Sequence, residues 1–127
     1  MKQLFGALIL ACGLAAAQAN AACDYPAAPG KFPDGKTATK EELLAGKKTF
    51  TAYDAQMTAY LECLKTEFQA SVAALPPDTP KKQKEELERS LGQKQDAALQ
   101  EAESVKNRLN KEIAAYVKLH PPAPKPN

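Results

Sequence analysis

Ten prolines punctuate this chain, and none of them falls between Pro33 and Pro76 or between Pro80 and Pro121. A proline inside a helix removes a hydrogen bond and clashes with the preceding turn, so those two intervals are where long helices can run. Thr39-Lys40-Glu41-Glu42 opens the first interval with a capping box. Leu43, Phe50, Tyr53, Met57, Tyr60/Leu61, Leu64, Phe68, Val72 and Leu75 then recur at steps of three and four, which predicts a helix over 40–75. The second interval carries the same period in Leu87, Leu91, Ala98, Ala102, Val105, Leu109, Ile113 and Tyr116/Val117. It predicts a helix over 80–118, with Thr79 as N-cap and Pro80 in the first turn. Lys81–Glu85, Lys82–Glu86, Glu85–Arg89 and Arg108–Glu112 stand four residues apart and are expected to pair along the outer face.

Each predicted helix is on the order of 55 Å long, and so short a connection between them compels antiparallel neighbours. The expected fold is therefore all-α, a long antiparallel two-helix hairpin over residues 40–119. Folding about Pro77 and Asp78 pairs Phe68 with Leu87, Leu64 with Leu91, Met57 with Ala98 and Tyr53 with Ala102. It also pairs Phe50 with Val105, Gly46 with Leu109 and Leu43 with Ile113. Large side chains then meet small ones wherever the second stripe has alanine, as interdigitated packing requires. Residues 22–39, rich in proline and glycine, read as an extended arm with a Pro33-Asp34-Gly35 turn, and 120–127 as a disordered proline-rich tail.

Met1-Lys2, an apolar run from Leu4 to Ala17, and small residues at Ala19 and Ala21 form the pattern of a cleaved secretory signal peptide over 1–21. A cut after Ala19 is the second choice. The alternative, an apolar first helix of the fold, leaves a helix with no polar face. A lipid-anchored Cys12 would have an unusually short apolar segment before it, and Asn20-Ala21-Ala22 ahead of Cys23 lacks the aliphatic residue of a lipobox. No later apolar run reaches the ~20 residues of a membrane span, so the expectation is a periplasmic or secreted chain with no integral membrane segment after cleavage.

Export would leave Cys23 and Cys63 in an oxidising compartment, where an even pair most simply forms one disulfide; an intermolecular bond is the alternative. The spacing is not that of a redox Cys-x-x-Cys motif. Cys63 lies about 35 Å along the first helix, while the extended arm reaches roughly 50 Å, so the arm can double back to the hairpin's middle. Tyr25, Phe32 and the prolines would then cover Tyr60, Leu61 and Leu44. Closing a loop of about 41 residues is worth about 4 kcal/mol in chain entropy, which matters for so thin a core. Pairing of hairpins into a four-helix bundle is the other route to a sufficient core.

The residues exclude more chemistry than they offer. With the leader removed, the charge is near zero, which argues against a nucleic-acid binder. One histidine, His120, flanked by Pro121, gives no base for a nucleophile and too few ligands for a metal, so neither a cofactor nor a metal is expected. The carboxylate pairs Glu41/Glu42, Glu85/Glu86 and Glu101/Glu103 fall on faces expected to be wet, where nothing raises their pKa for acid catalysis. Lys81, Lys82 and Lys84 make a short basic patch of the kind usually left solvated. Glycine-rich phosphate loops are absent.

Cys23…Pro26…Pro29, Phe32-Pro33-Asp34-Gly35, Ala38-Thr39, Tyr53 and Tyr60-Leu61-Glu62-Cys63-Leu64 together resemble a group of small exported proteobacterial proteins. That group carries a Cys, a Pro-Asp-Gly turn, an Ala-Thr helix start and a closing Tyr-Leu-x-Cys-Leu. The likeness covers about residues 23–64. It departs in having Phe32 in place of isoleucine and Glu41-Glu42-Leu43 where the group tends to end in methionine. The resemblance implies Cys23–Cys63 pairing and periplasmic residence, and carries over no catalytic residue.

The expected function is accordingly non-enzymatic: a protein-interaction or envelope-associated module, with Tyr25, Phe32, Tyr60 and Leu61 as the interaction residues and a protein partner or a second copy as the occupant. The alternative is a carrier that holds a small apolar ligand or lipid in a groove between the arm and the helices.

Overall fold

A computed structural model describes residues 22–122. Residues 1–21, read above as a signal peptide, and residues 123–127 of the tail lie outside the described residues. The fold is the expected one: two antiparallel helices, α1 (Lys40–Ala73) and α2 (Lys81–Leu119), with an extended arm over 22–39 tied to α1 by a disulfide.

Helix α1 starts where its cap dictates. The Thr39 hydroxyl accepts from the Glu42 amide at 3.2 Å, and the Thr39 amide donates back to the Glu42 carboxylate at 2.7 Å. It ends at Ala73 rather than at the predicted residue 75. Pro76 pushes Leu75 out of the helical region, so Ala74 and Leu75 close the last turn onto the carbonyls of Ala70 and Val72.

The start of α2 corrects the predicted cap. Thr79 does not cap it; the Thr79 hydroxyl and amide both donate to the Pro76 carbonyl, at 2.6 and 3.1 Å, and build the turn instead. Pro80 takes the N-cap position, with extended ψ and no side-chain oxygen to offer, and its carbonyl accepts from Gln83. The helix runs to Leu119, one residue past the expected end, because the restriction that Pro121 imposes falls on His120.

The core follows the expected register. Tyr53, Met57, Ala98 and Val105 form one buried cluster, with Phe50 and Ala102 packed against it. Ala98 is fully buried, leaving room for Met57 across the interface. Leu64, Phe68, Leu87 and Leu91 line one cleft nearer the turn. No residue from Lys65 through Ala97 is fully buried, so the arm's third layer thickens only the half of the hairpin remote from the turn.

Candidate functional site

What distinguishes this hairpin is the seat of the arm, which is built from both helices. At its start the arm is covalently held: Cys23 and Cys63 form a disulfide with Cα atoms 5.7 Å apart. Two residues on, the Tyr25 ring meets the Tyr60 ring edge-on at 4.9 Å between centroids, and the Tyr25 hydroxyl donates to the Glu101 carboxylate on α2. Burial of the hydroxyl, then the hydrogen bond to Glu101 and its negative charge, push the Tyr25 phenol well above its ordinary pKa. Pro26 is buried against this junction.

Farther along, Arg108 clamps the arm's backbone. Its two terminal nitrogens donate to the carbonyls of Gly30 at 2.6 Å and Pro29 at 3.0 Å, and its guanidinium lies 5.9 Å from the Phe32 ring centroid. Phe32 and Pro33 settle over Gly46 of α1, where a Cβ would stand 3.1 Å from the Pro33 ring and 3.6 Å from Phe32. The turn then closes on α2. The amides of Thr37 and Ala38 donate to the Asp34 carbonyl, the Asp34 side chain accepts from the Lys36 amide at 2.9 Å, and the Gly35 amide donates to Glu112 at 2.9 Å.

The predicted interaction residues meet different fates. Tyr25 and Tyr60 are brought together and Tyr25 stays 45% exposed, whereas Tyr60, Phe32 and Leu61 are partly buried against the core cluster. Leu44 is not covered by the arm as expected. Neighbouring Leu43 takes the inward position, and the helical step leaves Leu44 on the outer face, 47% exposed.

Three charged residues of the seat depart from what their spacing predicts. Arg108 and Glu112 do not pair with each other; both turn to the arm's backbone, and the pairs that form on α2 are Lys81–Glu85 and Lys106–Glu103. Glu101 is half-buried under Tyr25 rather than wet. Four-residue spacing shows that two charges share a helix face, but it is blind to backbone groups arriving from another segment. The useful signal was that Pro29, Gly30 and Gly35 leave carbonyls and an amide with no helix or sheet to receive them.

Tyr53 lies inside the same region, 3% exposed, and its hydroxyl has no hydrogen-bond partner. Burial, reinforced by the charge of Glu101, raises its pKa. Among the described residues no group of three or more His, Cys, Asp or Glu side chains is placed to hold a metal, and no helix is long and apolar enough to cross a membrane.

No family model, curated protein or solved structure matches the chain. The arm seat therefore stands on its own geometry, which is that of a brace. Arg108, Glu112 and Glu101 are engaged with the arm's carbonyls, the Gly35 amide and the Tyr25 hydroxyl, and two open clefts border the seat, one beside Cys63 between Tyr25, Gln56 and Tyr60 and one between Phe32, Lys36, Arg108 and Glu112.

Proposed function

We propose that this protein is a non-enzymatic, exported helical-hairpin module that works by presenting rigid faces to a partner in the cell envelope. The observation that carries this reading is the way the arm is fastened along its length. A disulfide, a guanidinium on two carbonyls and two carboxylates from α2 hold eighteen residues of irregular chain against the hairpin. So much fastening makes one composite surface out of arm and helices, with Tyr25 exposed near its disulfide-held end.

The disulfide supports export, since such bonds persist in oxidising compartments. The leader pattern of residues 1–21 and the resemblance to small exported proteobacterial proteins point the same way.

Photo-crosslinking from position 25 in intact cells tests the proposal, with mature protein recovered from the periplasmic fraction. The expected result is a discrete adduct that a reduced or C63S protein fails to form. Retention of the chain in the cytoplasm, or turnover of a substrate by the purified protein, overturns it.

A further inference from the structure

The charge of this hairpin is segregated along its length. The half that carries the arm, residues 30–50 and 105–122, holds nine Lys and Arg against four Asp and Glu, while the other described residues hold six against eleven. A near-neutral chain is thus folded into a rod with a basic end and an acidic end.

The excess cations at that end are also unpaired. Three of the four carboxylates at that end are taken by the chain's own N–H groups: Asp34 accepts from Lys36, Glu112 from Gly35, and Glu42 closes the Thr39 cap. Among the described residues Lys31, Lys36, Lys40, Lys47, Lys48 and Lys111 are exposed, and none of them forms an ion pair.

Large apolar side chains are exposed among these cations. Leu44 follows Lys40 by four residues and precedes Lys47 and Lys48 by three and four, a spacing that places it between them on one helical face. Antiparallel packing brings the last turns of α2 to the same end of the rod, where Val117 and Leu119 are 46% and 55% exposed beside Lys118.

We infer that the basic end of the rod docks on an anionic phospholipid surface, with Lys40, Lys47 and Lys48 on the headgroup phosphates and Leu44 at the headgroup–acyl boundary. Exposed leucine flanked along one helix by three lysines, against the single carboxylate of Glu41, suits a lipid interface, which offers an apolar layer beneath its charge; a nucleic acid offers none. The acidic half is repelled by the same surface, so the rod is held by one end with its turn pointing away. The inference rests on the reading of this protein as an envelope module and names one surface it meets.

Co-sedimentation of the oxidised mature protein with vesicles tests it. Vesicles of phosphatidylcholine containing phosphatidylglycerol are expected to retain the protein, pure phosphatidylcholine vesicles to release it, and about 0.5 M salt to abolish retention. The K40E/K47E/K48E variant is expected to bind at least about tenfold more weakly, while K81E/K82E/K84E at the acidic end changes binding less than about threefold. L44S, on an exposed position, gives an independent readout and should weaken binding several-fold with the helical circular dichroism intact.

Equal binding to both vesicle types, equal loss from the two lysine triples, or no vesicle binding each overturn the inference, including where the protein instead elutes as a dimer or crosslinks only to a protein. A protein crosslink without lipid binding leaves the interaction-module reading standing. Substrate turnover removes that reading itself.

Discussion

The Gly35 amide donates to the Glu112 carboxylate at 2.9 Å, and a Cβ on Gly35 would be driven into the backbone carbonyl of that same Glu112. The glycine's φ is not positive, so the position selects glycine for close approach to α2, not for an unusual backbone conformation. This contact is where the turn of the arm meets the helix directly, backbone against backbone. The fit there decides whether residues 30–39 lie on the hairpin or stand off it.

Gly35→Ala is therefore expected to lift the turn, costing about 1–3 kcal/mol of stability as overpacking does. Gly92 is the matched control, because a Cβ there meets nothing within 4 Å and the residue sits inside α2. Gly92→Ala should stabilise the protein by roughly 0.5–1 kcal/mol through helix propensity alone. Urea denaturation of the two variants beside the wild type checks the opposite signs.

The disulfide closes a loop with a sequence separation of 40. Replacing both cysteines by serine is expected to lower stability by about 4 kcal/mol, chiefly by freeing the unfolded chain. The loss should reach the whole hairpin, because Phe32 and Ala28 of the arm pack on the one core cluster that joins α1 to α2. Equilibrium denaturation of the serine pair, against oxidised wild type, measures it.

Arg108→Ala removes two hydrogen bonds to the arm's backbone and leaves the carbonyls of Pro29 and Gly30 to solvent. The guanidinium is exposed, so the expected effect is modest, about 1 kcal/mol, and confined to the arm. Trypsin reads it directly at Lys31 and Lys36. Their cleavage should quicken roughly fivefold, in step with local opening, while global stability in urea changes little.

Tyr25 gives the pH dependence. Its folded-state pKa is raised above the ordinary 10.0 by burial and by Glu101. A raised pKa contributes stability that is fully present below about pH 10 and is lost as pH climbs toward the folded value, where phenolate would face carboxylate. Thermal stability should thus fall above pH 10, and Tyr25→Phe should flatten that fall while lowering stability at neutral pH.

How much of this was legible beforehand divides along a physical line. Prolines and the three-four spacing of Leu43 through Leu75 and Leu87 through Val117 report local backbone preference and a buried face, so the helices and their antiparallel pairing could be read directly, and the register to within about a turn. Their ends were off by one or two residues, because proline acts on its neighbour. The arm seat was legible as a disulfide, a Pro33-Asp34-Gly35 turn and aromatic cover over Tyr60 and Leu61, but not in its polar contacts. Which helix side chains would receive Gly30 and Gly35 depends on where an irregular segment lands, and periodicity carries no information about that. Arg108 and Glu112 were accordingly assigned to each other, when each has a backbone partner 70 residues or more away in sequence. Leu44 shows the same limit at one position, since an apolar residue beside the stripe can be core or surface.

Tyr53 offers the sharpest test of the packing. The helical stripe marks it as a core position, and the structure buries it to 3% exposure, yet its hydroxyl finds no partner among Phe50, Met57, Ala98, Ala102 and Val105. A buried hydroxyl without a hydrogen bond carries its desolvation cost, about 1–3 kcal/mol, while the ring around it contributes only packing. Removing the oxygen and keeping the ring should recover part of that cost. Tyr53→Phe is expected to be at least as stable as the wild type, with a gain of up to about 1 kcal/mol. Tyr53→Ala, which empties the space between Met57 and Ala102, should lose about 3–5 kcal/mol. A destabilised Tyr53→Phe in urea would mean that the hydroxyl is hydrogen-bonded, which would shift the polar centre of the arm seat from Tyr25 and Glu101 onto Tyr53.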